Sequence, residues 1–238
     1  MKIFLPGLGK QLLFLKEHVK IDGLKILVLG SGSEEIAKIL AEESKTKVEL
    51  IVEDYDSLMN SKLFLEAHEN VNVRIMDFET TDFDDSVFDL VFAQASISDF
   101  RRNKIVKEIK RILKPEAVLC VGEVVKFAET VPVFVEEIFE SSDLDPLLSD
   151  NLQKYYKERK FEIIAEADFS ATFIDFYSMN LRKLEDSKKE LSDEEKSYYK
   201  KLMNRISHES NAFLKLGADK FIGFKSLIMK KGKVIEKE

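Results

Sequence analysis

Cysteine is nearly absent: Cys120 is the only one in 238 residues. One thiol excludes an internal disulfide framework and any cysteine-cluster metal site, and no metal is expected. Its place in an apolar run predicts a buried structural thiol. No apolar stretch approaches the roughly 20 residues that a membrane span needs. The opening MKIFLPGLGK has only a short apolar patch and no small-residue cleavage site, so a cytoplasmic location is the default expectation. Positive charge is in deficit as well. With 37 Lys and Arg against 44 Asp and Glu, the formal net charge is −7, which argues against a nucleic-acid phosphate backbone as the main partner. Internal repeats and low-complexity segments are absent, and His18 and His68 belong to no partner pattern.

What remains is an ordinary core-forming composition, 45% apolar and 34% charged, long enough for one large α/β domain or two small ones. The chain is organised around KILVLGSGSEEIAKIL, Lys25 to Leu40. Ile26 to Leu29 are four consecutive apolar residues, as in a strand buried on both faces. Gly30, Ser31 and Gly32 break the run, and Ile36, Ala37, Leu40 and Ala41 then recur at helical spacing. Strand, glycine turn and helix brings free backbone N–H groups to a place where glycine allows a ligand close approach. Ser31 and Glu34 stand at capping-box spacing.

The same alternation continues along the chain. Gly7 to Lys20 predicts a first helix, which could cover a pocket mouth. Strands are expected at 48–54, 71–77, 88–95 and 117–125, with helices at 57–68 and 101–113, the second stopped by Lys114-Pro115. Further on, 129–142, 147–160, 170–190 and 192–216 read as helices, the last opened by Ser192 and Glu195 at capping-box spacing. Strands are expected at 161–168 and 221–229, followed by a frayed polar tail. Alternating strands and helices imply a doubly wound, mostly parallel sheet, whose ligands bind outside the carboxyl ends of the strands. Gly30, Gly32, Glu53, Asp54, Asp77 and Gln94 all fall at such ends.

Glu53 lies about 20 residues beyond the glycine turn, where a carboxylate accepts from both hydroxyls of an adenosine ribose. Asp77 could accept from an adenine amine, with Phe78 giving the ring an apolar face. A dinucleotide fingerprint wants a third glycine where this chain has Glu34, and a carboxylate there repels phosphate. S-adenosylmethionine has no phosphate and is cationic at sulfonium and ammonium, which suits a rim of Glu34, Glu53, Asp54 and Asp77.

These residues resemble the class I S-adenosylmethionine-dependent methyltransferases, in particular the small-molecule group. VLGSGSEEIA looks like their glycine motif, LIVEDYDSLM like the acidic end of their second strand, and Asp77 falls on their third-strand aspartate. SVFDLVFAQA and EIKRILKPEAVLCV resemble their fourth-strand motif and helix-to-strand junction. The resemblance covers roughly residues 24–125. It implies a single domain with a seven-stranded sheet, a cofactor core at 24–125, an N-terminal helical cover at 1–23 and a helical insertion at 170–216 between the last two strands. It also implies S-adenosylmethionine as cofactor, bound through Gly30, Ser31, Gly32, Glu53, Asp54, Asp77, Phe78, Gln94 and Ala95. Val28 stands where many members carry an acidic residue, and Glu116-Ala117 replaces Gly-Gly. Ala93-Gln94-Ala95-Ser96 is not the Asp/Asn-Pro-Pro-aromatic motif of nucleic-acid amino methylation. Methyl transfer to a small molecule is the expected activity. The alternatives are a degenerate cofactor-binding regulator and, less favoured, a nicotinamide-dependent oxidoreductase. Methyl transfer by direct displacement needs a general base only if the acceptor must lose a proton, and no catalytic residue is identified by motif. Tyr177 and His208, in the insertion, are the candidate acceptor-side groups.

Overall fold

The strands are β1 (Ile26–Leu29), β2 (Val48–Val52), β3 (Val71–Ile75), β4 (Phe88–Gln94), β5 (Leu113–Lys126), β6 (Leu147–Leu148), β7 (Phe161–Asp168) and β8 (Ile222–Lys231). The helices are α1 (Lys10–His18), α2 (Glu34–Ser44), α3 (Tyr55–Phe64), α4 (Arg102–Ile112), α5 (Val133–Ser141), α6 (Leu152–Glu158), α7 (Thr172–Glu190) and α8 (Lys200–Lys215). They come from a computed structural model, which describes residues 4–190 and 200–232. The expected cap at Ser192 and Glu195 and most of the polar tail lie outside those residues. No helix among the described residues is long and apolar enough to cross a membrane.

Seven strands run in the order β3-β2-β1-β4-β5-β8-β7. β1 to β5 are parallel to one another where they pair, and β8 is antiparallel to both β5 and β7. The side-chain period of two sends successive residues to opposite faces. Leu27, Leu29, Val91, Ala93, Leu119 and Val121 meet Ile105, Ile109 and Ile112 of α4 and Tyr156 of α6. Ile26, Val28, Leu90, Phe92 and Cys120 meet Leu12 and Leu15 of α1 and Ile36, Ala37 and Leu40 of α2. Helices therefore cover both faces, which is why the central strands are apolar throughout. Cys120 is fully buried, and burial pushes its thiol up to about 12.

Three local outcomes differ from the sequence reading. Residues 147–160 do not form one helix. β5 outruns β4, whose last pair is Gln94 with Gly122. The free edge beyond is taken by Leu147 and Leu148, which pair with Val125 and Lys126 as an added eighth strand before α6 begins. Second, β5 starts at Leu113 instead of Ala117. Its register against β4 shifts between Phe88 and Leu90, and Pro115 stands in that irregularity, where a missing N–H breaks no ladder bond. Third, α1 lies on a sheet face, because Leu12, Phe14 and Leu15 are its buried side. The segment before it, from Phe4 to Leu8, is what reaches the strand ends.

A buried polar cluster fixes the turn between β4 and α4. Glu123 of β5 is fully buried. It accepts from Arg102 Nε at 3.1 Å, from Ser98 Oγ at 2.8 Å and from the Tyr156 hydroxyl.

Candidate functional site

The order of strands reverses between β1 and β4, so the crevice outside their carboxyl ends is the natural ligand position. The turn after β1 needs left-handed backbone, with φ of +100° at Gly30 and +84° at Gly32. A Cβ on Gly30 would stand 2.7 Å from Cβ of Ser96 in the turn after β4, so the two turns touch. The capping box expected from Ser31 and Glu34 does not form. The helix begins at Glu34, one residue after its N-cap Ser33, and the reciprocal bond needs the acidic residue three positions after the cap. Glu34 Oε1 instead accepts from Gly32 N at 3.1 Å and from Ser61 Oγ at 2.7 Å. Ser31 is exposed.

The acidic strand ends take different roles. Glu53 is half-buried and already bonded. Its Oε1 accepts from Phe78 N at 3.0 Å and Arg101 Nη1 at 2.8 Å, and its Oε2 from Arg101 Nη2 at 2.7 Å. Arg101 is also held by Asp99, at 3.0 Å from Nε and 2.9 Å from Nη2, with Glu79 at 3.9 Å. Asp54 is an exposed helix cap, accepting from Ser57 N at 2.8 Å and Ser57 Oγ at 2.6 Å. Its carboxylate is thus used by α3. Asp77 is exposed and accepts from Glu79 N at 2.8 Å. Phe78 packs into the core beneath α4 and offers no free ring face. Sequence reasoning missed Arg101, although a cation at a helix N-terminus opposes the helix dipole and so signals a carboxylate partner.

At the end of β4, Gln94 Nε2 donates to Pro6 O at 2.6 Å and Leu8 O at 2.9 Å, tying the N-terminal segment across the crevice. Ala95 follows with φ of +55°. Among the described residues, the buried side-chain polar atoms without a hydrogen-bond partner are Gln94 Oε1, Ser96 Oγ, Ser33 Oγ and Gln11 Oε1. The first three border the β1–β4 crevice. Buried polar atoms are normally paired, so this group fits a site that a polar ligand completes.

Beside it, a cavity of about 220 Å³ opens from Ala95 and Val124, at the ends of β4 and β5, to α7 and α8. Phe4, Leu5 and Pro6 close one side, and Asn180 pins them by accepting from Phe4 N at 2.9 Å. Tyr177 lines the cavity, stacked on Phe173 with ring centroids 5.6 Å apart. Burial pushes its hydroxyl well above the ordinary tyrosine range. His208 does not reach the cavity. It faces solvent, 3.9 Å from Glu137. Its neighbour Glu209 lines the cavity instead, because one residue turns a helix by about 100°. Glu209 accepts from the Ser142 hydroxyl, and burial pushes its carboxyl up. Its spacing from Ile206 and Phe213 places it on the apolar side of α8, a signal the sequence did carry.

A family model described as a methyltransferase domain matches residues 27–121. No curated protein sequence matches the chain. Among solved structures, the [4+2]-cyclase SpnF superposes with a TM-score of 0.76 at 19% identity, over 94% of this chain and 80% of that one. Phosphoethanolamine N-methyltransferase 2 of Haemonchus contortus, in complex with phosphomonomethylethanolamine and S-adenosylhomocysteine, gives 0.76 at 15% identity, over 97% of this chain and 54% of that one. The cyclopropane synthase MmaA2 of Mycobacterium tuberculosis gives 0.76 at 12% identity, over 94% and 83%. Residues 27–121 therefore resemble a methyltransferase domain, and the chain has the Rossmann-like fold of the class I S-adenosylmethionine-dependent methyltransferases.

Proposed function

We propose that this protein transfers a methyl group from S-adenosylmethionine to a small-molecule acceptor. The observation that carries the reading is the meeting of two sites at the end of β4. Unpartnered buried polar atoms border the glycine turn, and an apolar cavity begins one residue after Gln94, at Ala95. The residues present fit the cofactor. Gln94 Oε1 is an acceptor suited to its ammonium, Glu53 to the ribose hydroxyls and Asp77 to the adenine amine, while Glu34 at the helix start disfavours a phosphate. When bound, S-adenosylmethionine supplies a methyl group already activated on a sulfonium.

The chain's own task is then to position the acceptor and exclude water. Phe4 to Pro6, held by Gln94 and Asn180, wall one side, and α7 and α8 roof the other. In this reading the helix pair is a lid, and hydrogen exchange in α7 and α8 slows when S-adenosylhomocysteine is added, alongside slowing at Gly30–Gly32. Calorimetric titration with S-adenosylmethionine, S-adenosylhomocysteine and NAD tests the cofactor, and turnover of small acceptors tests the reaction. NAD binding without response to the other two overturns the reading. A second reading, a cofactor-binding regulator without transferase activity, is favoured by the Arg101 guanidinium across both oxygens of Glu53. S-adenosylhomocysteine binding without any turnover would support it.

A further inference from the structure

We propose that the cavity beneath α7 and α8 takes a small organic amine, bound as its ammonium ion. This rests on the methyl-transfer reading and names the chemical class of the acceptor, whose nitrogen passes one proton to the Glu209 carboxylate before its lone pair takes the methyl group and S-adenosylhomocysteine leaves. The cavity, at about 220 Å³, lies below the roughly 300–1,000 Å³ of sites for drug-sized ligands, so its occupant is compact. Four aromatic rings line it, those of Phe4, Phe173, Phe176 and Tyr177. Phe173 and Tyr177 are stacked, and Phe176 meets Tyr177 edge-on at 4.7 Å. Aromatic faces attract a cation more strongly where water is excluded.

Glu209 supplies the counter-charge. Its side chain is 13% exposed, and among the described residues it is the one carboxylate on the lining. A carboxylate taken out of water needs a cation or a proton. Arg205 is an incomplete partner: its Nε stands 3.9 Å away and its side chain is 43% exposed. The Ser142 hydroxyl donates to Glu209 without neutralising it. The upward shift of the Glu209 carboxyl agrees with a charge still seeking compensation. The Tyr177 hydroxyl, which makes no hydrogen bond to the described residues, is a further acceptor for an ammonium N–H. Arg205 also lines the cavity but is 43% exposed against 13% for Glu209, so the more buried charge that an anionic acceptor would meet is the carboxylate, and a neutral alcohol would leave it uncompensated.

The test uses three near-isosteric probes, phenethylamine, 2-phenylethanol and phenylacetate, titrated calorimetrically into the unmodified protein with and without saturating S-adenosylhomocysteine. The amine is expected to bind at least tenfold tighter than the other two. Glu209→Gln should abolish that preference while leaving S-adenosylhomocysteine affinity unchanged, and Arg205→Gln should keep it. Equal binding, preference for the alcohol or acid, or no binding of any probe overturns the proposal, and each of these outcomes is read on the unmodified protein alone. Amine preference in a protein that ignores S-adenosylhomocysteine would overturn the methyl-transfer reading instead, so the two failures are distinguishable.

Discussion

Replacing Arg101 by Met should tighten cofactor binding. In the proposed cofactor pose, the ribose hydroxyls and the Arg101 guanidinium compete for the same two oxygens of Glu53. The ion pair is bidentate, at 2.8 and 2.7 Å, with side chains 26% and 28% exposed. Exposed pairs contribute about 0.2–1 kcal/mol, and breaking a fully buried one costs about 3–5 kcal/mol. This pair lies nearer the first, and Arg101 keeps Asp99 when it lets go of Glu53. About 1 kcal/mol is then the cost of release, equivalent to about a fivefold change in affinity. Titration of S-adenosylhomocysteine into Arg101→Met should therefore give a dissociation constant about fivefold lower than in the unmodified protein. The gap should narrow at high salt, which screens the half-exposed pair. Glu53→Gln is the opposing control. It weakens two charge-assisted bonds of about 1.5–3 kcal/mol each and gains back the released arginine, leaving at least a tenfold loss. Weaker binding by Arg101→Met would refute the competition and make Arg101 a ligand contact. Unchanged binding by Glu53→Gln would move the ribose elsewhere.

The buried Glu209 carboxyl has its folded-state pKa raised by burial. The stability linked to that proton is full below the ordinary carboxylate value of about 4.3 and is lost as pH rises through the raised value. Glu209→Gln should therefore gain Tm relative to the unmodified protein as pH rises across that window, whereas parallel curves would mean that the folded carboxylate is well compensated. Glu116 is exposed with φ of +62°, a conformation costing a side-chain-bearing residue about 1–2 kcal/mol. Glycine gives back about 0.5–1 kcal/mol in chain entropy, so Glu116→Gly should stabilise by about 0.5–1 kcal/mol in urea unfolding, and a loss would rule out this strain. Glu123→Ala strands Arg102, whose side chain is 4% exposed, and should cost about 3–5 kcal/mol. A loss below about 1 kcal/mol would show that Asp145 O, its other acceptor, is enough.

The sheet is legible in the sequence because each strand is a short apolar run ended by glycine, acidic or proline signals, and because that grammar is local. β6 is not, since it exists only where β5 outruns β4, a relation between two strands' lengths. Glu53 can be placed by its distance from the glycine turn, but its guanidinium partner lies 48 residues away, beyond any periodicity. Asp54 resembles a ligand by position, although the Asp54–Ser57 spacing already spells a helix cap. Side-chain chemistry favours His208 over Glu209, whereas helix phase decides which of the two faces inward.

β5, β7 and β8 together set where the insertion can go. Asp168 ends β7 beside Lys225, and Ile222 opens β8 beside Lys126, the last residue of β5. The insertion therefore leaves and re-enters the sheet on one rim, at adjacent strands about 4.8 Å apart. Joining such close ends costs only about 0.6 kcal/mol more for each doubling of the intervening length. A descendant of this chain can thus lengthen, shorten or exchange that one cassette, and with it the chemistry of the cavity wall, without rewriting a single ladder bond or any residue from 27 to 121.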